Sequence, residues 1–484
     1  MNTSSKLGHS GVGALLALAS LVVSGTITTQ SAQAQTLTVL HSFDDTTDGD
    51  LASSLIQATD GNLYGTTAED GANFTGTVFS ITPSGTLSIL SDLCVYGSSC
   101  TIGEFPNAGL VQAPNGDLYG TTADGGTEPS NDGTVFKVTL SGELTVVHSF
   151  EAPNGSANAL GLILAGNGDL YGTTESGGTY GTGIVYKINP SGKVTTVYNF
   201  DCPNNTDCPA APPDGRLVQD TNGDFYGATL SGGANSWGSI FKMTPSGTLT
   251  TLYSFADSTD GAYPVGTALI QATNGDFYGT TSMGAGGGTV FKMTAAGKLT
   301  TLHSFCSQTD CTDGSKPNGL IQASDGNFYG TTATGGAADS GTIFEITARG
   351  KLTTLYSFCS QADCADGQSP VGLIQDTNGD FYGTSLGGGA NGDGTVFSLS
   401  VGLGPFVETQ TTSGTVGATV NILGTSLTGV TSVTFNGTAA TFTVNSTGTE
   451  ITTTVPTGAT TGYIDVVTPS SGTLQSNVVY RVKP

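Results

Sequence analysis

Four kinds of residue in this sequence have types and spacings that could do chemistry. Gly383–Gly387 reads GTSLG and matches G-x-S-x-G, the pattern that presents a serine nucleophile on a strand-to-helix turn. Three histidines, His41, His148 and His303, are as many as a catalytic zinc takes. Aspartates precede glycine at Asp48, Asp214, Asp260, Asp313 and Asp366, with Asp45 and Asp310 nearby, and calcium takes such oxygen ligands. Eight cysteines fall in four close pairs, which suit disulfides or thiolate ligands: Cys94 with Cys100, Cys202 with Cys208, Cys306 with Cys311, and Cys359 with Cys364.

What these residues can do depends on the elements that carry them, and those elements repeat. Tyr-Gly-[Thr/Ala] recurs at Tyr64, Tyr119, Tyr171, Tyr226, Tyr278, Tyr329 and Tyr382, spaced 51 to 55 residues apart. Each period holds four short segments rich in β-branched and aromatic residues. In the sixth they are GLIQA (a, 319–323), NFYGTT (b, 327–332), GTIFEIT (c, 341–347) and KLTTLYSF (d, 351–358). Three-residue connections ending in Gly join a to b and c to d, as tight hairpins require. The b–c and d–a connections are longer and variable. Seven four-stranded meanders of about this length predict an all-β, seven-bladed β-propeller.

The repeat then decides most of the chemistry. Ser385 stands where other units have the second Thr of YGTT, and no helix follows it. The histidines share one place in strand d, where Tyr198, Tyr253 and Tyr356 stand elsewhere, so they sit on separate units as packing residues. Strand a carries Gln57, Gln112, Gln219, Gln271, Gln322 and Gln375, with Leu164 in the third unit; these amides are expected to bond between blades, or else to ring a channel. Every Cys pair lies in a d–a loop, and those four loops are the longest, so four disulfide staples are expected and no metal site. The Asp-Gly pairs read as turns, with calcium as the alternative. No HExxH, phosphate loop or carboxylate-pair signature assigns a catalytic residue, although carboxylates distant in sequence would leave no such signature.

An up-and-down meander puts all constant a–b and c–d turns at one face and all variable loops at the other. Variable loops on a rigid scaffold are where function concentrates. The ligand-binding candidates are Phe74, Glu128, Tyr180, Trp237 and Tyr263.

The ends of the chain complete the organisation. Residues 1–34 carry Lys6, an apolar run from Gly11 to Gly25 and an Ala-x-Ala site at Ala32–Ala34, the layout of a cleaved signal peptide; the run is short for a membrane span. Acidic residues number 38 against 13 basic, for a net charge of −25, so nucleic acid and anionic lipid are poor partners. The expected domains are 35–400 for the propeller, 401–405 for a linker and 406–484 for a second β module. Strands a, b and c occur seven times after Leu51 but d only six times. The orphan segment Leu37–Phe43 is therefore predicted to pair with Gly394–Ser400 and close the ring.

GLIQAxDGNxYGTT, GGxxxxGTVF and PSGxLTTLxSF together resemble the GloVer tandem repeat of secreted bacterial proteins, over about Leu37–Ser400. The resemblance implies a repeat architecture and no defined activity. Residues 414–482, with GTVGATVNILG, VTFNG and VPTGATTG, look like an IPT/TIG domain, which implies an Ig-like sandwich serving as spacer or adhesion module. The expected role is a secreted or cell-surface binding or structural protein recognising glycan or protein, without a cofactor unless calcium. The alternative is an extracellular carbohydrate-active hydrolase or lyase. The sequence assigns no oligomeric state.

Overall fold

A computed structural model describes residues 35–484 except 95–99, 128–130, 152–155, 201–212, 214, 221, 258, 285 and 484. The expected signal peptide, the binding candidate Glu128, and Asp214 lie outside the described residues. So do Cys202 and Cys208, and with them the second of the four expected disulfides.

The described chain is all-β. Each repeat forms an antiparallel meander in the order a-b-c-d; the sixth comprises Ser315–Gln322, Phe328–Thr334, Thr342–Ile346 and Leu352–Ser357. One parallel bridge, Thr267 to Gly319, links the first strands of units five and six. Strand b is buried on both sides. In units three to six its Tyr packs on the Phe that begins strand b of the next unit, as in Tyr278–Phe328 with centroids 4.0 Å apart; Leu63, Leu118 and Leu170 take the place of that Phe elsewhere. The Gly after that Tyr is obligatory: a Cβ on Gly120 would lie 2.4 Å from the Phe136 ring.

The N-terminal strand Thr36–Ser42 pairs with Thr395–Ser400, from Thr36 opposite Ser400 to Ser42 opposite Thr395. It carries the same bulge as the internal c–d pairs. It also fills the role of a fourth strand toward the next unit. A Cβ on Gly85, in the c–d turn of unit one, would come within 2.9 Å of Leu40 O, as one on Gly350 would within 2.5 Å of Leu302 O. Phe43 is fully buried, and its carbonyl accepts from Asn391 Nδ2 at 2.8 Å, as Phe255 O accepts from Asn235.

After the repeats come two small antiparallel sheets. One orders Val407–Thr409, Thr419–Gly424, Glu450–Thr454 and Phe442–Val444; the other orders Thr438–Ala439, Ser432–Phe435, Ile464–Thr468 and Gly472–Gln475. Val420, Ile422, Phe435, Ile451, Ile464 and Val466 share one core between them. Residues 35–484 form one compact unit. Among the described residues no helix is long and apolar enough to cross a membrane.

Candidate functional site

The first strands of all seven units line one cavity of about 720 Å³. Three levels follow from the strand sequence. A β-branched residue from each unit, among them Ile56, Val111 and Ile374, gives an aliphatic collar. Toward the loop end, the position before the conserved Leu is small in most units, as at Ser54, Gly109, Gly161 and Gly319, but is Arg216 in unit four. Toward the turn end lie the glutamines and residues of the C-terminal module, Glu408, Thr409, Gln410 and Asn477.

The glutamines tie neighbouring units together. Thr59 N–H donates to Gln112 Oε1 at 3.0 Å, and Gln112 Nε2 donates to Thr59 Oγ1 at 3.1 Å. Ser324 N–H and Oγ bond Gln375 in the same way. Thr377 N–H donates to Gln57 Oε1 at 3.1 Å, which joins the last unit to the first. The expectation of bonds between repeats holds. The odd Leu164 has a partner in the sequence: the donor it would meet is residue 114 of unit two, a proline with no N–H.

The same turns carry the C-terminal module. Thr449 Oγ1 and Asn445 Nδ2 both donate to Thr59 O, at 2.6 and 3.3 Å, and Gln410 Nε2 donates to Gln112 Oε1 at 3.0 Å. Thr425 and Thr377 hydroxyls lie 2.9 Å apart. The module therefore floors the cavity at the turn end. Burial raises the Glu408 carboxyl to about 7, with the charge of Asp376 adding to the effect and a hydrogen bond from Asn477 opposing it. Burial raises Asp376 to about 6. Thr409 Oγ1 and Asn477 Oδ1 have no hydrogen-bond partner among the described residues. Arg216 makes no ion pair or hydrogen bond among them, and desolvation pulls its pKa below the ordinary arginine value.

At the loop end, the carboxylates of Asp48, Asp260, Asp313 and Asp366 each serve their own unit. Asp366 accepts from Tyr356 OH at 2.7 Å and from Ser360 N–H at 2.9 Å, and Asp260 accepts from Tyr253 OH at 2.8 Å. His303 and His41 take the Tyr place against Asp313 and Asp48, at 3.1 and 2.6 Å. Histidine and tyrosine alternate in strand d because both reach this carboxylate. His148 has no such aspartate after it; its Nε2 has no partner among the described residues, and burial lowers its pKa. Disulfides join Cys94 to Cys100, Cys306 to Cys311 and Cys359 to Cys364. Four staples were expected from the spacing, and three stand among the described residues. The fourth, between Cys202 and Cys208, falls in the segment 201–212 outside them, so that bond remains an expectation of the sequence.

Of the sequence candidates, Trp237 and Tyr263 meet edge to face, with centroids 5.3 Å apart, across the junction of units four and five. Phe74 and Tyr180 are exposed in the b–c loops of units one and three. Ser385 is buried and hydrogen-bonded to the Thr395 hydroxyl. Sequence reasoning missed the exposed Leu230, Met283 and Leu386, which stand at the b–c end of strand b in three units, and missed Arg216 and Glu408. Aligning the seven copies of strand a finds Arg216 as the one large residue at its position; nothing comparable finds Glu408.

A family model described as the Gloeobacter/Verrucomicrobia repeat matches residues 13–212 and 204–365. A search of curated proteins finds no match. Among solved structures, a fungal alcohol oxidase of the AA5 family in complex with copper is similar over 93% of this chain and 99% of its own, at 12% identity and a TM-score of 0.51. That likeness is one of fold. Among the described residues no group of three or more His, Cys, Asp or Glu could hold a metal ion. A puromycin hydrolase is similar over 69% of this chain and 50% of its own, at 11% identity and a TM-score of 0.47. A putative gluconolactonase is similar over 77% and 94%, at 12% identity and a TM-score of 0.38.

Proposed function

The chain belongs to the Gloeobacter/Verrucomicrobia repeat family, and on that premise we propose a secreted or cell-surface recognition protein. In this reading a seven-bladed β-propeller, closed by its N-terminal strand, is capped at its turn face by an Ig-like IPT/TIG module and binds an extracellular protein or glycan at its loop face. The observation that carries the reading is the distribution of exposed apolar side chains. Of seven large ones among the described residues, five (Phe74, Tyr180, Leu230, Met283 and Leu386) stand at the b–c ends of the repeats. The opposite face already has an occupant. Apolar groups clustered on a rigid loop face are the ordinary mark of an interaction surface. Trp237 and Tyr263 add a paired aromatic platform there. Calcium enters this reading only at the Asp-Gly loops; chelation that leaves the melting temperature unchanged removes it.

The test is a screen of the purified chain against a glycan array and extracellular protein fractions, with hydrolysis assays in parallel. Binding without turnover, weakened by Trp237→Ala or Tyr180→Ala, supports the reading. Binding unaffected by every loop-face substitution overturns it.

A hydrolase or lyase is the second reading, favoured by one observation: Glu408 lines the cavity with a raised pKa beside the charge of Asp376. Asp376 itself is buried and does not line the cavity, so one carboxyl faces a substrate where glycoside hydrolysis uses two. Turnover abolished by Glu408→Gln would establish this reading over the first.

A further inference from the structure

The cavity contains a cation that the described fold does not use. Arg216 stands at a position held by glycine or serine in units one, two, three, six and seven. Its stem lies across Gly161, where an added Cβ would come within 2.5 Å of Arg216 Cγ, so the small neighbour makes room for it. Among the described residues no carboxylate pairs with it, and Glu408, the one carboxyl of those residues that lines the cavity, makes no ion pair with it. Arg216 is half-buried on the cavity wall, and holding a guanidinium there without a counter-charge costs solvation that an anion in the cavity would offset. The four lysines of strand c behave in the opposite way: Lys137, Lys187, Lys242 and Lys292 each pair with an aspartate of their own unit.

The surroundings narrow the class of ligand. Beside the guanidinium, the collar of isoleucine and valine offers an apolar wall of sevenfold kind. Below it, the floor holds Thr409 and Asn477 oxygens without partners among the described residues. A cavity of about 720 Å³ is the size of a small-molecule site. One cation, with Glu408 in the same cavity, suits a single negative charge and not a phosphate dianion. The planar guanidinium fork matches a carboxylate in two parallel hydrogen bonds.

We propose that the cavity binds a small organic carboxylate, its anionic end on Arg216 and its apolar body against the isoleucine and valine collar. This site is separate from the loop face, and either can fail without the other.

The experiment is calorimetric titration of the full chain with hexanoate, decanoate and phenylbutyrate, each beside its primary amide. At least one acid should bind about tenfold or more tightly than its amide. Arg216→Ala should abolish that preference, and Arg216→Lys should retain part of it. Trp237→Ala, on the loop face, should change neither affinity. The proposal is overturned if no acid binds at millimolar concentration, if acid and amide bind the parent alike, or if the preference survives Arg216→Ala. Should Arg216→Ala fold poorly, the parent's acid-to-amide ratio and the Lys variant decide alone.

Discussion

The turn end and the loop end of these repeats come from one sequence period, yet they use their polar groups differently. At the turn end, glutamines reach sideways into the next unit, and the turns beyond them carry the C-terminal module. At the loop end, aspartates fold back on their own loops, three described disulfides span five or six residues, and apolar side chains point outward. Uniform sequence thus accompanies contacts between units, where every copy must fit its neighbour. Variable sequence accompanies loops whose side chains bond mainly within one unit, and which reach the next unit through backbone bonds such as Tyr263 N–H to Trp237 O, contacts that place little demand on side-chain identity.

The contrast breaks most visibly at the closure. If all seven units hold one another, removing the strand that joins the last to the first should damage the whole ring. Phe43 is fully buried in the core shared by Val396 and Phe79. Phe43→Ala should cost about 3–5 kcal/mol, and deletion of 36–43 should abolish the single cooperative melt. A deletion variant that melts like the parent would show that the units are stable independently.

Next in size is the floor of the cavity. Glu408 titrates near about 4.3 when unfolded and near 7 when folded. Between those values the folded state keeps a proton that the unfolded state releases, so stability falls as pH rises through the window. The loss is at most about 4 kcal/mol and is complete above the folded value. Glu408→Gln should flatten this dependence and melt above the parent on the alkaline side. Equal slopes for parent and variant would show that the module seats without burying this carboxyl.

Loop-end changes should be smaller and more local. Replacing Cys306 and Cys311 by serine removes a short ring worth about 2 kcal/mol on the loop-entropy model. Hydrogen exchange should quicken around 306–314 and remain slow in strand b, Phe328–Thr334. Exchange that quickens throughout the unit would mean that the loop end also supports its neighbours.

Much of this contrast was legible in the sequence, because counting repeats exposes what is missing and what is odd. The orphan strand follows from six fourth strands against seven of every other kind, and the glutamines announce bonds between units because buried amides need partners. The seat of the module was not legible. Its contacts use Thr59, Thr377, Asn445 and Thr449, ordinary turn residues whose partners lie from 48 to 390 positions away. Arg216 was overlooked because one deviation among seven copies looks like drift until the cavity shows what surrounds it.

The smallest effect tests the glutamine clamp at its one exception. Leu164 faces the turn of unit two, where Pro114 has no N–H to give. Leu164→Gln alone should lower stability by about 1 kcal/mol, because its amide lacks the donor that Thr59 gives Gln112. Pro114→Thr alone adds a donor with no acceptor across the junction. Together the two should rebuild the clamp, with a favourable coupling of about 1 kcal/mol in a double-mutant cycle read by denaturant melts. A coupling of zero would mean that the glutamines merely occupy the space between units, and that packing of the strand b Tyr against the next unit, here Tyr119 beside Leu170, sets the junction.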